Sequence, residues 1–174
     1  MFYALVIDSN GDGVGSHAYY EQPSSYPSNE VACTQSQAQS PMAYQIVNGQ
    51  IVESLAYAKT SQIILLQSAF QQAEQAPVSI TMASGVTAAF GMTPHDWTKI
   101  VGLYSKYVAK GIALPSGYTI TDITGKAQAV IVTDIESLMN AGEAQIQATI
   151  AKAGTLIGQI EAATSVQEVT ALGW

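Results

Sequence analysis

Short apolar runs in the first third of the chain have the character of β-strands. Phe2–Ile7 is rich in aromatic and β-branched residues and predicts one strand, and residues 14–20 predict a second. Asn10-Gly11 and Asp12-Gly13 lie between them and accept the positive φ angles of a tight turn. The start of the chain is therefore predicted to be a β-hairpin.

A second hairpin is predicted just before the helical part of the chain. Ile46-Val47 and Ile51-Val52 flank Asn48-Gly49, which is the strongest short hairpin signal available from sequence. Between the two hairpins, residues 22–41 are rich in Ser, Gln and Pro. This composition predicts an exposed loop or a partly disordered segment.

The apolar residues change to helical spacing after the second hairpin. Residues 54–76 carry alanine, glutamine and apolar side chains at that spacing, and Pro77 ends the helix. The run Ile63-Ile64-Leu65-Leu66 is apolar on too many sides for an isolated surface helix. We therefore expect other helices, or another subunit, to bury it.

A third hairpin and a small helix follow. Residues 78–90 alternate around Ala83-Ser84-Gly85 and predict the hairpin. Thr93 as N-cap and Pro94 at the first helical position predict a helix that ends at Gly111. Its apolar face is predicted to comprise Trp97, Ile100, Val101, Tyr104 and Val108.

The longest predicted helix comes after two short strands, one at residues 118–120 and one beyond a turn at Thr124-Gly125. Thr133 is its predicted N-cap and residues 134–162 are its body, with Asp134 in the first turn. Its apolar residues form a nearly continuous line, called here the long-helix stripe: Ile135, Leu138, Gly142, Ile146, Ile150, Ala153, Ile157 and Ile160.

The long-helix stripe must be covered by other side chains, and the sequence leaves two arrangements open. The stripe can pair with the helix of residues 54–76 in the same chain, or it can form a helical contact between copies in a homo-oligomer. Sustained seven-residue spacing supports either arrangement. The residues predicted to form protein interfaces are Ile146, Ile150, Ile157, Ile160, Leu65 and Leu66.

Together these elements predict an α+β protein, in which a small N-terminal antiparallel β module is followed by a helical region with an inserted β-hairpin. The predicted domains are residues 1–53, which include the Ser/Gln/Pro-rich loop at about 22–41, and residues 54–174. No run approaches the ~20 apolar residues that a membrane span needs, and the N-terminus lacks the basic start of a signal peptide. Synthesis and retention in the cytosol are therefore expected.

The charge balance argues against several classes of partner. Six basic residues, all of them lysine, stand against thirteen acidic ones, for a formal net charge of −7. Nucleic acids and anionic membranes bind proteins largely through basic side chains, so neither is expected as a partner. Only 11% of the residues are charged while 48% are hydrophobic, which predicts an uncharged surface suited to packing against other proteins.

Asp8, Asn10 and Asp12 alternate before a glycine in the way that a calcium-binding EF-hand loop begins. The twelfth loop position is Tyr19, where an EF-hand has a bidentate glutamate. A plain turn is therefore the preferred interpretation, and calcium bound by Asp8, Asn10 and Asp12 is the alternative. No other cofactor is expected.

The sequence offers one arrangement for hydrolytic catalysis. His95-Asp96 is the only adjacent pair of histidine and carboxylate, and Ser84 or Ser116 would have to supply the nucleophile. No Gly-x-Ser-x-Gly turn exposes either serine, and an aspartate at position 96 suits the first turn of a helix. The chain is therefore expected not to be an enzyme.

Tyrosines are unusually dense in the first third of the chain, at positions 19, 20, 26, 44 and 57. The group is consistent with packing inside hairpins, or with a surface that contacts a glycan or a protein. Combined with a calcium-bound turn, the second interpretation gives a calcium-stabilised glycan-binding module that recognises a host.

The order of elements from residue 54 onward resembles a family of phage proteins. PVSITMASGVTAAFGMTPHDW, ALPSGYTITD and the ending QIEAATSVQEVTALGW are similar to the C-terminal region of small phage and prophage proteins encoded beside tail-fibre genes. Those proteins carry a DUF4376-like domain and are described as tail-fibre or tail-fibre assembly proteins. The similarity covers about residues 54–174, and MFYALVIDSNGDGV resembles their opening strands, whereas residues 22–41 have no counterpart.

The resemblance implies a non-enzymatic tail component. Such a protein is a tail-fibre-associated structural or assembly protein that contacts tail-fibre or baseplate proteins. It is located in the host cytoplasm during assembly and then in the virion tail. The calcium-stabilised glycan-binding module is the alternative, and a small hydrolase is the third hypothesis.

Overall fold

The computed structural model describes all residues from 1 to 174 and has the predicted α+β architecture. Short strands pair in four antiparallel sheets, one of three strands and three of two strands. The chain forms two compact units. The first contains Met1–Leu66 and Leu156–Gly173, and the second contains Gln67–Thr155 and Trp174.

A three-stranded antiparallel sheet forms the start of the first unit. The central strand, β1 (Phe2–Ile7), pairs with β2 (Gly13–Tyr19) on one side and with β3 (Glu30–Cys33) on the other. Because β1 is central, its residues Ala4 and Leu5 are fully buried. The hairpin predicted at the start of the chain is confirmed.

The prediction of a loop or disordered segment at residues 22–41 is wrong for its second half. That half contains β3, the short helix α1 (Gln35–Gln39) and the start of a 3-10 turn (Pro41–Ala43). Thr34 and Gln37 form a capping box at the start of α1, each side chain accepting the other residue's backbone N–H. The local sequence pattern did not predict β3, because this strand has only four residues and is stabilised by its pairing with β1.

The second hairpin is confirmed as well. Its strands are β4 (Tyr44–Val47) and β5 (Gln50–Glu53). Asn48 and Gly49 have φ angles of 52° and 79°, which is the backbone that a two-residue type I′ turn requires. The predicted helix then follows as α2 (Leu55–Glu74).

The compact units are composed differently from the predicted domains, residues 1–53 and 54–174. Lys59 Nζ donates to the carbonyl of Glu161 at 2.8 Å, and Gln62 Nε2 donates to the carbonyl of Leu172. The end of the chain therefore belongs to the first unit, where Ile160 and Val169 are fully buried. These two hydrogen bonds join residues that are 102 and 110 positions apart in the sequence. A local sequence pattern does not reveal contacts over such separations.

The second unit is built around the third hairpin, which is also confirmed. Its strands are β6 (Val78–Thr81) and β7 (Thr87–Phe90). The inward side chains of this hairpin and its neighbours make one hydrophobic core: Val78, Ile80, Met82, Ala88, Phe90, Met92, Ile100, Val130 and Leu138.

The small helix begins as predicted and changes its winding near the end. α3 (Pro94–Leu103) is capped by the Thr93 hydroxyl, which accepts the N–H of Asp96, and it continues as a π-helix over Tyr104–Ala109. The predicted apolar face is wrong at Val101, which is exposed, and it omits Tyr107, which is buried. The wider π-helical turn shifts every later side chain away from its α-helical direction.

The longest helix, α4 (Val132–Ala162), starts before its predicted N-cap, so the prediction for Thr133 is wrong. Asp134 takes the capping role from the first turn. Its carboxylate accepts the N–H of Ile131 at 2.9 Å and that of Ala83 at 2.7 Å. Because Asp134 is buried, it satisfies two N–H groups that burial would otherwise leave unpaired.

The long-helix stripe is buried at Ile135, Leu138 and Ile160, but Ile150 is 48% exposed and Leu156 is buried instead. Steps of four residues advance a helical side chain by about 40° beyond a full turn, so three steps rotate Ile150 about 120° away from Leu138. The buried part of the stripe is covered by side chains of the same chain. Leu138, for example, lies in the core of the third hairpin. Pairing of the whole stripe with the helix of residues 54–76, and contact between copies of the chain, both stay predictions.

The last hairpin of the second unit consists of β8 (Thr119–Thr121) and β9 (Ala127–Ala129), and Asp122 organises its turn. The Asp122 carboxylate accepts the Thr124 hydroxyl at 2.6 Å, the Gln128 amide at 2.7 Å and the backbone N–H groups of Thr124 and Lys126. These donors, led by the Thr124 hydroxyl, lower the pKa of Asp122 from 3.8 to about 2.

Replacing Asp122 with asparagine is expected to reduce the loss of stability in acid. The folded pKa lies below the ordinary value of 3.8, so between about pH 4 and pH 2 the unfolded chain binds more protons. The stability that Asp122 supplies is therefore complete above this window and lost as the pH falls through it. Urea unfolding at about pH 5 and about pH 2 measures the difference. Equal losses in the wild type and in Asp122→Asn would contradict the lowered pKa.

Candidate protein-contact surface

The DSNGDG turn between β1 and β2 is closed by the side chain of Asp8. Its Oδ1 accepts the backbone N–H of Asn10 at 2.8 Å and that of Asp12 at 3.0 Å, which makes the turn self-supporting. In the described chain, no group of three or more His, Cys, Asp or Glu side chains is placed to hold a metal ion. Calcium binding by Asp8, Asn10 and Asp12 stays a prediction.

The same turn packs closely against the second hairpin. The Gly11 carbonyl accepts the N–H of Ile46 at 2.8 Å. A Cβ atom built on Gly13 would lie 2.0 Å from the carbonyl oxygen of Pro41 and 3.0 Å from that of Tyr44. The glycines at positions 11 and 13 therefore let two backbone segments approach each other in the first unit.

A buried carboxylate, Glu30, joins two side chains of β2, His17 and Tyr19. Glu30, on β3, accepts the Tyr19 hydroxyl and lies 2.7 Å from His17 Nδ1. The bond from Tyr19 lowers the pKa of the Glu30 carboxyl, burial opposes that shift, and the same bond raises the pKa of Tyr19. The ring of Tyr26 packs edge-on against Tyr19, with the ring centroids 5.7 Å apart.

The five tyrosines do not form one surface. Tyr19 and Tyr26 are in contact and half-buried, and the Tyr19 hydroxyl is already bonded. Tyr20 is exposed at the end of the hairpin, Tyr44 is half-buried on β4 and Tyr57 lies on α2. The glycan-binding alternative stays a prediction, and no specific contact in this group favours it.

His95 and Asp96 lie in the first turn of α3, as predicted. Asp96 Oδ2 accepts the hydroxyl of Thr93 at 2.6 Å, while the Asp96 N–H donates back to that hydroxyl at 3.3 Å. Ser84 lies in the turn between β6 and β7, and Ser116 precedes β8. The Asp96 carboxylate is thus committed to the cap of the helix.

The six predicted interface residues differ in accessibility. Leu66 and Ile160 are buried within the chain at 4% and 0% exposure, so they belong to the core and no partner reaches them in this fold. Ile146 and Ile157 are half-buried. Leu65 and Ile150 remain available on the surface, with Leu65 at 63% exposure.

The first half of α2 presents an apolar surface without any charge. The α2 outer face is defined here by its exposed residues within the first unit: Ala56, Tyr57, Thr60, Ile64 and Leu65. Ile64 is 60% exposed, and Tyr57 is one heptad before it on the same side of the helix. Lys59 points away from this face to the carbonyl of Glu161.

An exposed helix surface of a soluble domain normally carries charged or strongly polar residues. Two adjacent large aliphatic side chains, with a tyrosine two turns earlier on the same helix, are instead the composition of a protein interface. The sequence indicated this surface through the run Ile63-Ile64-Leu65-Leu66, but only the fold separates the exposed members from the buried one. The α2 outer face is therefore the candidate protein-contact surface.

Comparison with known proteins found no match to any family model, to any curated protein or to any solved structure. None of the helices combines the length and the apolar character needed to cross a membrane.

Proposed function

We propose that this protein is a non-enzymatic bacteriophage tail component, a tail-fibre-associated structural or assembly protein that acts through protein-protein contacts. The observation that carries the proposal is the α2 outer face, where Ile64 and Leu65 are 60% and 63% exposed on a helix surface without charge. Its partners are tail-fibre or baseplate proteins, met in the host cytoplasm during assembly and in the virion tail.

Burial of the α2 outer face supplies a driving force for such contacts. Complete burial of a fully exposed Ile or Leu side chain contributes about 1.5–3 kcal/mol, and Ile64 and Leu65 have 60% and 63% of their surface still to bury. Tyr57 adds an aromatic ring with a hydroxyl suited to an interface rim. The attribution to a phage tail is supported by the resemblance of residues 54–174 to proteins encoded beside tail-fibre genes. The two arguments are independent, because one concerns a surface and the other an order of elements.

Quantitative mass spectrometry of purified particles tests the proposal. We expect this chain at a fixed ratio to the major tail protein, or, for an assembly protein, in the lysate in a complex with a fibre or baseplate protein. Absence from particles together with absence of any fibre or baseplate protein from the purified complex would refute the tail assignment.

Leu65→Lys tests whether the α2 outer face makes the contact. A lysine buried against a partner loses hydration without a counter-charge, so we expect recovery in particles or complexes to fall at least about tenfold. Gln159→Lys adds the same charge at an exposed position on α4 and is the matched control. Thermal unfolding is expected to be unchanged for both variants, since both sites are exposed. Normal incorporation of Leu65→Lys would exclude this face as the contact.

A further inference from the structure

A cleft of about 680 Å³ opens in the second unit between strand β8 and the α3 helix with its π-helical extension. Its apolar lining includes the buried side chains of Ile100, Tyr107 and Leu138. Residues 118–123, six in succession, also line it. Side chains alternate between the two faces of a strand, so an uninterrupted run of lining residues indicates that the strand turns its edge to the cleft.

The backbone pairing of β8 shows which groups this edge offers. β8 pairs as a strand only with β9, where the Tyr118 carbonyl accepts the N–H of Val130 at 3.1 Å and the Asp122 N–H donates to the Lys126 carbonyl at 2.9 Å. After β8, the N–H of Ile123 donates to the Ala89 carbonyl on β7 at 3.0 Å, so the open part of the other edge ends before Ile123. In an antiparallel pair, successive residues direct their N–H and C=O groups to opposite sides. Thr119 and Thr121 therefore direct four backbone groups away from β9, on the unpaired edge.

Two lysines stand on the helical side of the cleft. Lys99 and Lys106 are both exposed, and neither ammonium is paired with a carboxylate. Lys106 Nζ lies 5.0 Å from the centre of the Tyr107 ring, which holds its charge over the floor of the cleft. The cleft therefore holds two of the six basic residues in a chain of net charge −7.

The acidic residues that line the cleft are already engaged. Both oxygens of Asp122 accept hydrogen bonds from its own hairpin, and Asp96 caps α3 through Thr93. The groups that remain without partners are the two ammonium groups and the outward backbone of Thr119 and Thr121. An occupant that carries carboxylates can pair with the former, and its alternating N–H and C=O groups can pair with the latter.

We propose that this cleft binds an extended acidic segment of a partner protein, which adds as a strand to the Thr119–Thr121 edge and places its carboxylates at Lys99 and Lys106. Main-chain hydrogen bonds give such added strands their affinity, and the apolar floor takes alternate side chains. A small anion would satisfy only the lysines. The inference rests on the proposed function, since it names the chemistry of one partner, but it uses no residue of the α2 outer face.

Fluorescence anisotropy with the full-length chain tests the charge requirement. The probe is a labelled eight-residue peptide in which glutamate alternates with valine and threonine, and a matched peptide carries lysine for glutamate. We expect the acidic peptide to bind with a Kd below about 1 mM and the basic one not to bind. The double variant Lys99→Glu, Lys106→Glu is expected to weaken binding at least about tenfold. Lys110→Glu, whose lysine lies outside the cleft lining, is the matched control and is expected to bind normally.

Hydrogen exchange of the backbone amides tests the strand addition. Thr119 and Thr121 are expected to become protected when the acidic peptide binds, whereas the amides that face β9 change little. Thr121→Pro removes one N–H from the free edge without removing a bond to β9. It is therefore expected to abolish the part of the peptide affinity that comes from the hydrogen bond to this N–H. Binding without protection of these amides would overturn the strand addition.

The remaining outcomes are also decisive. No binding of the acidic peptide, or equal binding of the basic one, would overturn the proposal. Displacement of the peptide by inorganic phosphate or glucuronate at equal concentration would make the cleft a small-anion site and would overturn it too. Failure of the peptide experiments with normal recovery of the chain in particles would reject the cleft alone. Absence of any tail complex would reject the proposed function instead.

Discussion

Gly13→Ala is expected to lower the free energy of unfolding by about 3 kcal/mol. The new Cβ atom would lie 2.0 Å from the carbonyl oxygen of Pro41 and 2.9 Å from its carbonyl carbon. Both are backbone atoms, so no side-chain rotation relieves the overlap, and β2 must move away from the segment that leads into β4. Urea unfolding followed by circular dichroism measures the change.

Gly15→Ala is the matched control for this prediction, because it lies on the same strand, two residues further on. Its nearest neighbour would be the Val6 Cβ at 3.8 Å, an ordinary van der Waals contact. We expect a change within about 0.5 kcal/mol, since alanine is at least as favourable as glycine within a strand. If the two variants are equally stable, the close approach at Gly13 does not exist in solution.

Leu66→Ala is expected to cost about 3 kcal/mol, while Leu65→Ala changes the stability by no more than about 0.5 kcal/mol. Leu66 is 4% exposed and its neighbour is 63% exposed, although both are leucines on the same helix. The two substitutions change helix propensity equally, so the difference between them isolates the burial of one side chain.

Leu65→Ala and Leu66→Ala also distinguish a residue of the contact surface from a residue of the core. Leu65→Ala should keep the full unfolding free energy but reduce recovery with tail proteins, whereas the Leu66→Ala chain should be destabilised even when purified alone. An equal and small effect of both substitutions on unfolding would mean that α2 is not packed as described. Destabilisation by Leu65→Ala would place that leucine inside the protein and remove it from the proposed surface.

Hairpins and caps could be predicted from the sequence because their causes are local. Asn48-Gly49 supplies the two positive φ angles of its turn, and Thr93-Pro94 supplies a cap and a preformed first helical residue. The cap of α4 is different. Asp134 bonds the N–H of Ala83, 51 residues away, so the local preference for Thr133 gave the wrong residue.

The candidate sites depended more heavily on the fold. The run Ile63-Ile64-Leu65-Leu66 predicted a contact, but the side of α2 that faces outward is fixed by bonds such as that from Lys59 to Glu161. The cleft was missed altogether. Lys99 and Lys106 are one heptad apart in a chain poor in basic residues, and that spacing was the available signal.

The sequence by itself determined the α+β class, the positions of the hairpins and the long helices, because turn residues and apolar periodicity act locally. Only the tertiary structure decided that β3 completes the first sheet, that Glu30 is shared by Tyr19 and His17, and which leucine of α2 is buried. It also decided where β8 has a free edge. Each of these features depends on which segments, distant in sequence, come into contact. The free energy of burying a side chain or pairing a strand depends on that contact, so local sequence patterns do not reveal it.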